Sequence, residues 1–216
     1  MFAHVAGLGS LIRGVEHMLR DGGVFISESH YLPDLLETVQ YDSIYHEHLK
    51  YYSLKSLIRL FSYYNFTVID AERIENYGGS IRVYAAKGRN LPVAGSIAEL
   101  LKAEDEQRIH TSAPFHDFAA RVYRSKTALQ ELMIHAKATG KNVVGVGCPG
   151  RSSTLVNYCG IDTDWMPYIA EQSSSLKLGL YLPGKHIPIV DEQAMFEKQP
   201  DYALILSWHY WKPIVK

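Results

Sequence analysis

Two cysteines, Cys148 and Cys159, are all that the chain of 216 residues contains. That is too few for the disulfide framework of a secreted scaffold, and it points to a reducing cytoplasm. Long apolar runs are missing as well: nothing approaches a membrane span, and the opening MFAHVAGLGS lacks the basic start and apolar core of a signal peptide. Charge of one sign does not accumulate either. Lys+Arg 22 against Asp+Glu 23 gives a net charge of -1, so no overall field holds a nucleic acid and no basic block binds a membrane surface. Repeats and low-complexity tracts are absent. What the chain does have is 47% hydrophobic residues, enough for one large or two small globular domains, and Tyr 15. Phenols in that number line polar pockets, although partly buried tyrosine is also ordinary.

The periodicity divides the chain in two. MFAH reads as the end of a strand. Leu11 to Arg20 has helical spacing and stops at Gly22-Gly23. VFISES is a buried strand, and Ser53 can cap a helix striped by Leu54, Leu57, Ile58, Leu60 and Phe61. FTVIDAERI and SIRVYAAKG are two more strands, with Gly78-Gly79 between them. The polar run from Lys87 to Ser96 reads as a linker. Two helical stretches follow, the longer striped by Phe115, Phe118, Ala119, Val122, Leu129, Leu132 and Met133 and stopped by Gly140. From Lys141 apolar strands (NVVGVG, YIAE, HIPIV, DYALILS) alternate with helices, which predicts a parallel, Rossmann-type layer. The expected partition is therefore residues 1–90 and residues 91–216.

Three stretches carry candidate chemistry. In Asp42–Ser53, DSIYHEHLKYYS, two imidazoles, a carboxylate and three phenols stand close together. The run can be a solvated loop, a metal site or acid/base machinery. For a metal, the i, i+2 histidines converge readily only on a strand, and no further carboxylate or cysteine is placed to help. For proton transfer the residue types fit: a near-neutral base, a carboxylate to orient it and phenols that donate to an oxyanion. His4 can face the same cleft. In GVGCPGRSS, glycines followed by Arg151, Ser152 and Ser153 at a helix start can cradle a phosphate, or can simply make a tight strand-to-helix turn. No acidic residue clearly ends the next strand at the usual NAD distance, which places a redox cofactor lower. The loop Ser173 to Ile189, with Lys177, Lys185 and His186, can close over a ligand or be a plain surface connection.

FAHV, then LRDGGVFISESHYLPDLLETVQYDSIYHEHLKYYSLKSLIRLF, NYGGSIRVY, GKNVVGVGCPGRSSTLVNYCGI and LKLGLYLPGKHIPIV together resemble the sugar C-methyltransferases. The resemblance implies an α/β fold in which the closing half of a class I methyltransferase sheet precedes a smaller Rossmann-like domain that holds a nucleotide sugar. It implies transfer of a methyl group from S-adenosylmethionine to the carbon beside the keto group of a nucleotide-linked deoxysugar. His48 would be the general base, Glu47 and Tyr45 would orient it or bind the sugar, and His4 would sit near the keto oxygen. Phe2 and Ala3 fall on the cofactor side, and Gly147, Arg151, Ser152, Ser153 and Lys177 on the side of the nucleotide-diphosphate sugar. No metal is assigned to these residues; the zinc of the family belongs to an amino-terminal domain, which, like the glycine-rich cofactor turn, is not in this sequence. The isolated chain is therefore expected to be inactive. SESHYL departs from relatives that often carry proline before the tyrosine, and His30 receives no role. The competing readings are a non-catalytic nucleotide-sugar-binding module and an NAD(P)-type oxidoreductase.

Overall fold

A computed structural model of the chain describes residues 2–216, in two compact units. The first comprises the residues up to Gln40 together with His46–Ala119, and the second Tyr41–Tyr45 with Ala120–Lys216.

The first unit opens with helix α1 (Leu8–Met18) and strand β1 (Val24–His30), joined through Gly22 at φ 75, whose N–H donates to the Lys87 carbonyl. Then come helices α2 (Leu32–Glu37) and α3 (Leu54–Tyr63), strands β2 (Phe66–Ile74) and β3 (Ser80–Lys87), and helix α4 (Gly95–Glu106). The cap on α3 forms as its sequence predicts: the Ser53 hydroxyl accepts from the Ser56 amide at 3.2 Å, and the Ser56 hydroxyl accepts from the Ser53 amide at 3.0 Å. β3 lies between β1 and β2 and is antiparallel to both. Alternation then sorts the faces. Arg82 stands opposite Glu28 on one side and Glu72 on the other, and its guanidinium bonds both carboxylates at 2.9 and 3.0 Å. Its neighbours Ile81, Val83 and Ala85 turn to the other face and are fully buried against Leu54, Leu57, Phe61, Ile12 and Phe2.

Residues 2–4 form a turn, so the strand end expected at MFAH is not there. A strand needs a ladder partner, and among the described residues β1 pairs with β3 and not with residues 2–4. The far edge of β1 is open and carries Val24 and Ile26, 44% and 55% exposed. The irregular connection at residues 88–94 does not end the unit, because Ile97, Leu100 and Leu101 of α4 pack onto its core.

In the second unit, helix α5 (Ala113–Ala138), most of which belongs here, leads into strand β4 (Val143–Val146), helix α6 (Ser152–Cys159), strands β5 (Ile169–Glu171) and β6 (Ile189–Asp191), helix α7 (Gln193–Lys198), strand β7 (Tyr202–Ile205) and a last short helix, α8 (Trp211–Ile214). The sheet order is β6-β5-β4-β7, parallel throughout, as the alternation of strands and helices predicts. Its core joins Met133 and Ala136 to Val143, Val156, Met166, Ile169, Ile187 and Leu206. Not every apolar residue of the long helix turns inward: Leu132 is 67% and Phe115 41% exposed. The chain is thus a mixed α/β protein with one antiparallel and one parallel sheet.

Candidate active site

The candidate residues fall in both units. In the first, β1 delivers His30 at its carboxyl end, and the chain segment around His48 is stitched against it. Tyr31 and Tyr52 form a parallel bridge, and the Leu32 amide donates to the Tyr52 carbonyl at 2.8 Å. The Leu49 amide donates to the Ala3 carbonyl at 3.1 Å, Lys50 Nζ to the Val5 carbonyl at 2.7 Å, and the Tyr52 hydroxyl to the Phe2 carbonyl at 3.3 Å. These bonds bring His4 to His48, with ring centroids 5.0 Å apart and the rings nearly perpendicular. His30 approaches His48 to 4.8 Å, and Tyr51 lies edge-on to His48 at 6.4 Å. Burial raises the pKa of the Tyr51 phenol and pushes that of Tyr52 up to about 12, so both are neutral donors near neutrality.

Sequence reasoning missed the group that braces this arrangement. Glu104 on α4 is 1% exposed, and its carboxylate accepts from the Leu54 amide, from the Lys55 amide at 3.1 Å and from the Tyr31 hydroxyl at 2.9 Å. It therefore closes the amino end of α3 and, through Tyr31, the end of β1. Burial, then the neighbouring Glu104 charge, raises the pKa of the Tyr31 phenol. A Glu within a charged helical run carries no mark of such a task.

The remaining residues expected here are spread out. The Glu47 side chain is 52% exposed, with Oε1 4.0 Å from Nε2 of the more exposed His46. Phe2 and Ala3 are buried, and the Phe2 ring packs among Phe25, Tyr52 and Phe61. Phe2 also floors an open groove of about 320 Å³ shared with Leu11, Val15, Phe25, Ile26, Ser27 and Glu28.

Tyr45 belongs to the second unit. Here the turn after β4 carries Gly145, Gly147 and Gly150 at G-x-G-x-x-G spacing. Gly147 has φ 74, and a Cβ there would collide with Ser207 Oγ; one at Gly150 would lie 3.0 Å from the Tyr45 ring. The Ser152 hydroxyl donates to the Pro149 carbonyl at 2.6 Å and that of Ser153 to the Gly150 carbonyl at 2.9 Å. Lys177, exposed on its loop, donates to the Cys148 carbonyl, so loop and turn do come together. The Cys148 amide donates to Glu171 at 2.8 Å. Glu171 is the last residue of β5: an acidic residue does end the strand after the glycine turn, visible as the final letter of YIAE. Burial raises the pKa of the Cys148 thiol, which leaves it a neutral packing group.

Arg151 is not an exposed cation. It is 5% exposed, with Nε 3.2 Å from Asp42 Oδ2, its guanidinium over the Trp208 ring at 5.0 Å and Nη1 3.3 Å from His209 Nδ1. The Trp208 indole N–H donates to the same Asp42 oxygen at 2.7 Å. Burial lowers the pKa of Arg151 against the pull of Asp42, and burial with the adjacent guanidinium lowers that of His209. Thr154 and Tyr41 complete the anchoring of the 41–45 segment, through the Ile44 carbonyl at 3.0 Å and Cys159 Sγ at 3.4 Å.

Among the described residues no group of three or more His, Cys, Asp or Glu side chains is arranged to hold a metal ion, and no helix is long and apolar enough to cross a membrane. The family described as C-methyltransferase C-terminal domain matches residues 75–216. The C-methyltransferase NovU of Streptomyces niveus is 35% identical over 215 residues, which are 99% of this chain and 51% of that protein. The chain thus spans about half the length of the curated relative that it matches. On the extent of both matches, the chain belongs to the C-methyltransferase C-terminal domain family.

Proposed function

We propose that the chain is the carboxyl-terminal part of an S-adenosylmethionine-dependent enzyme that methylates the carbon beside the keto group of a nucleotide-linked deoxysugar. The observation that carries this reading is the contact of His48 with His4 at the carboxyl end of β1, beside the neutral phenol of Tyr51. A carbon next to a ketone must lose a proton before it can attack a methyl group. His48 takes that proton on an imidazole nitrogen, and the electrons move to the keto oxygen. His4 and the Tyr51 hydroxyl donate to the oxyanion that forms there. Glu47 binds the sugar and sets its orientation.

The residues fit a methyl donor on one side. The Ser27 hydroxyl is buried without a hydrogen-bond partner on the wall of the groove floored by Phe2, so a polar group there would satisfy it. Phe2 and Ala3 hold the donor on that side, and the donor supplies an electrophilic methyl carbon. The sheet order β1-β3-β2, with β1 open at its far edge, supports reading the first unit as the closing half of a class I methyltransferase sheet.

The glycine turn of the second unit takes the nucleotide diphosphate on Gly147, Ser152, Ser153 and Lys177, with Arg151 holding the turn from beneath. Lys177→Ala is expected to weaken nucleotide-sugar binding by about 1.5–3 kcal/mol in calorimetry without moving the unfolding midpoint. Unchanged affinity would remove Lys177 from the site.

The test of the base is isotope exchange. Deuterium exchange at the acidic carbon of the nucleotide sugar, followed by NMR in the full-length gene product, should fall at least about 100-fold in His48→Ala while nucleotide-sugar affinity holds. His46→Ala, a side chain 83% exposed, should stay near wild type. Undiminished exchange in His48→Ala assigns the base elsewhere.

A further inference from the structure

His30 has no part in the reading above, yet it ends β1 half-buried against the ring of His48. The rings line up: His4 to His48 at 5.0 Å, His48 to His30 at 4.8 Å and His30 to Tyr77 at 6.5 Å. Tyr77 is held in the left-handed region, φ 55 and ψ 27, a conformation that an aromatic residue seldom adopts. Backbone of that kind persists where the surroundings impose it, often beside a functional site.

Among the groups facing His48 are His4 from the amino-terminal turn, His30 from β1 and Tyr51 from its own segment. Lys50 is turned to the Val5 carbonyl, and the Glu47 carboxylate lies near His46.

We propose that His30 is a positioning residue for His48: it fixes the ring from the β1 side, and a proton on His30 keeps His48 neutral. This rests on His48 being the base. Neutral imidazole is the form that accepts a proton, so a device that resists its protonation widens the pH range over which it works. The sign follows from charge alone. Two unit charges about 5 Å apart repel by on the order of half a pKa unit even with the screening of water, and by more where water is excluded. Protons therefore enter the His30–His48 pair in separate steps.

The experiment is an NMR titration of the intact protein carrying 13C-labelled histidine, with neither substrate nor methyl donor present. In wild type the His48 curve should be broader than a single-site titration. In His30→Gln and His30→Asn it should sharpen, and its midpoint should rise by about half a pH unit or more. His30→Lys, which places a lasting positive charge at the same point, should bring the midpoint back down. A single-site wild-type curve, or a midpoint that stays or falls in the Gln and Asn variants, overturns the proposal. The outcome is separable from that of the base: a shifted midpoint with exchange intact in His48→Ala keeps the coupling and removes the base, and an unmoved midpoint with exchange lost does the reverse.

Discussion

Glu104→Ala is expected to destabilise the protein by about 3–5 kcal/mol, read as a lower urea midpoint at constant slope. The carboxylate is 1% exposed and serves two helix-terminal amides and a phenol. Truncation would leave the Leu54 and Lys55 amides and the Tyr31 hydroxyl without this acceptor, and the desolvation of the two buried bonds, from Leu54 and Tyr31, then goes uncompensated. Glu104→Gln should cost less, because one oxygen remains, but its NH2 group must face another donor. The His110 contact at 3.4 Å is a minor part, since that imidazole is 33% exposed and screened by water, and His110→Ala should lose under about 1 kcal/mol. An alanine variant as stable as wild type would mean that the two segments at the site are held by other contacts. Because Glu104 fixes both Tyr31, next to His30, and the helix that follows His48, loss of exchange activity should accompany loss of stability.

Arg151→Ala should cost a similar amount, about 3–5 kcal/mol in thermal unfolding, for a different reason. Asp42 and Arg151 have side chains 5% and 6% exposed, and removing the guanidinium leaves the Asp42 carboxylate buried without its cation, still accepting from the Trp208 N–H at 2.7 Å. The double variant Arg151→Met with Asp42→Asn removes both charges and should lie well short of the sum of the two single effects. Under the proposed function, nucleotide-sugar affinity then separates two roles. If Arg151 holds the turn from beneath, affinity falls in the single variant and largely returns in the double one. If the guanidinium contacts the diphosphate directly, the double variant stays weak.

The local order of this protein is written in its sequence. Period-two alternation marks β2 and β3 to within a residue, Ser53 announces the cap of α3, and the strand–helix alternation after Gly140 announces the parallel sheet. Each of these rests on contacts between near neighbours or on which face of one element is apolar, and both can be read along the chain. Residue types can be read too, so YHEH and the glycine turn stand out before any fold is known.

Partnership across the chain is another matter. MFAH has strand-like composition, but a strand exists only where another backbone pairs with it, and residues 2–4 form a turn. Arg151 beside glycines and serines looks like a cation for phosphate until Asp42, 109 positions away in sequence, buries it in an ion pair at 3.2 Å. Glu104 and His30 are ordinary letters in a helix and a strand. Their meaning comes from Tyr31, Leu54 and His48, which reach them only because long-range packing closes the loops between them. Most of the elements, much of the apolar patterning and the inventory of imidazoles, phenols and glycines can be read along the chain. The tertiary structure alone decided which of those groups meet, because burial and charge pairing depend on distance in space and not on distance along the chain.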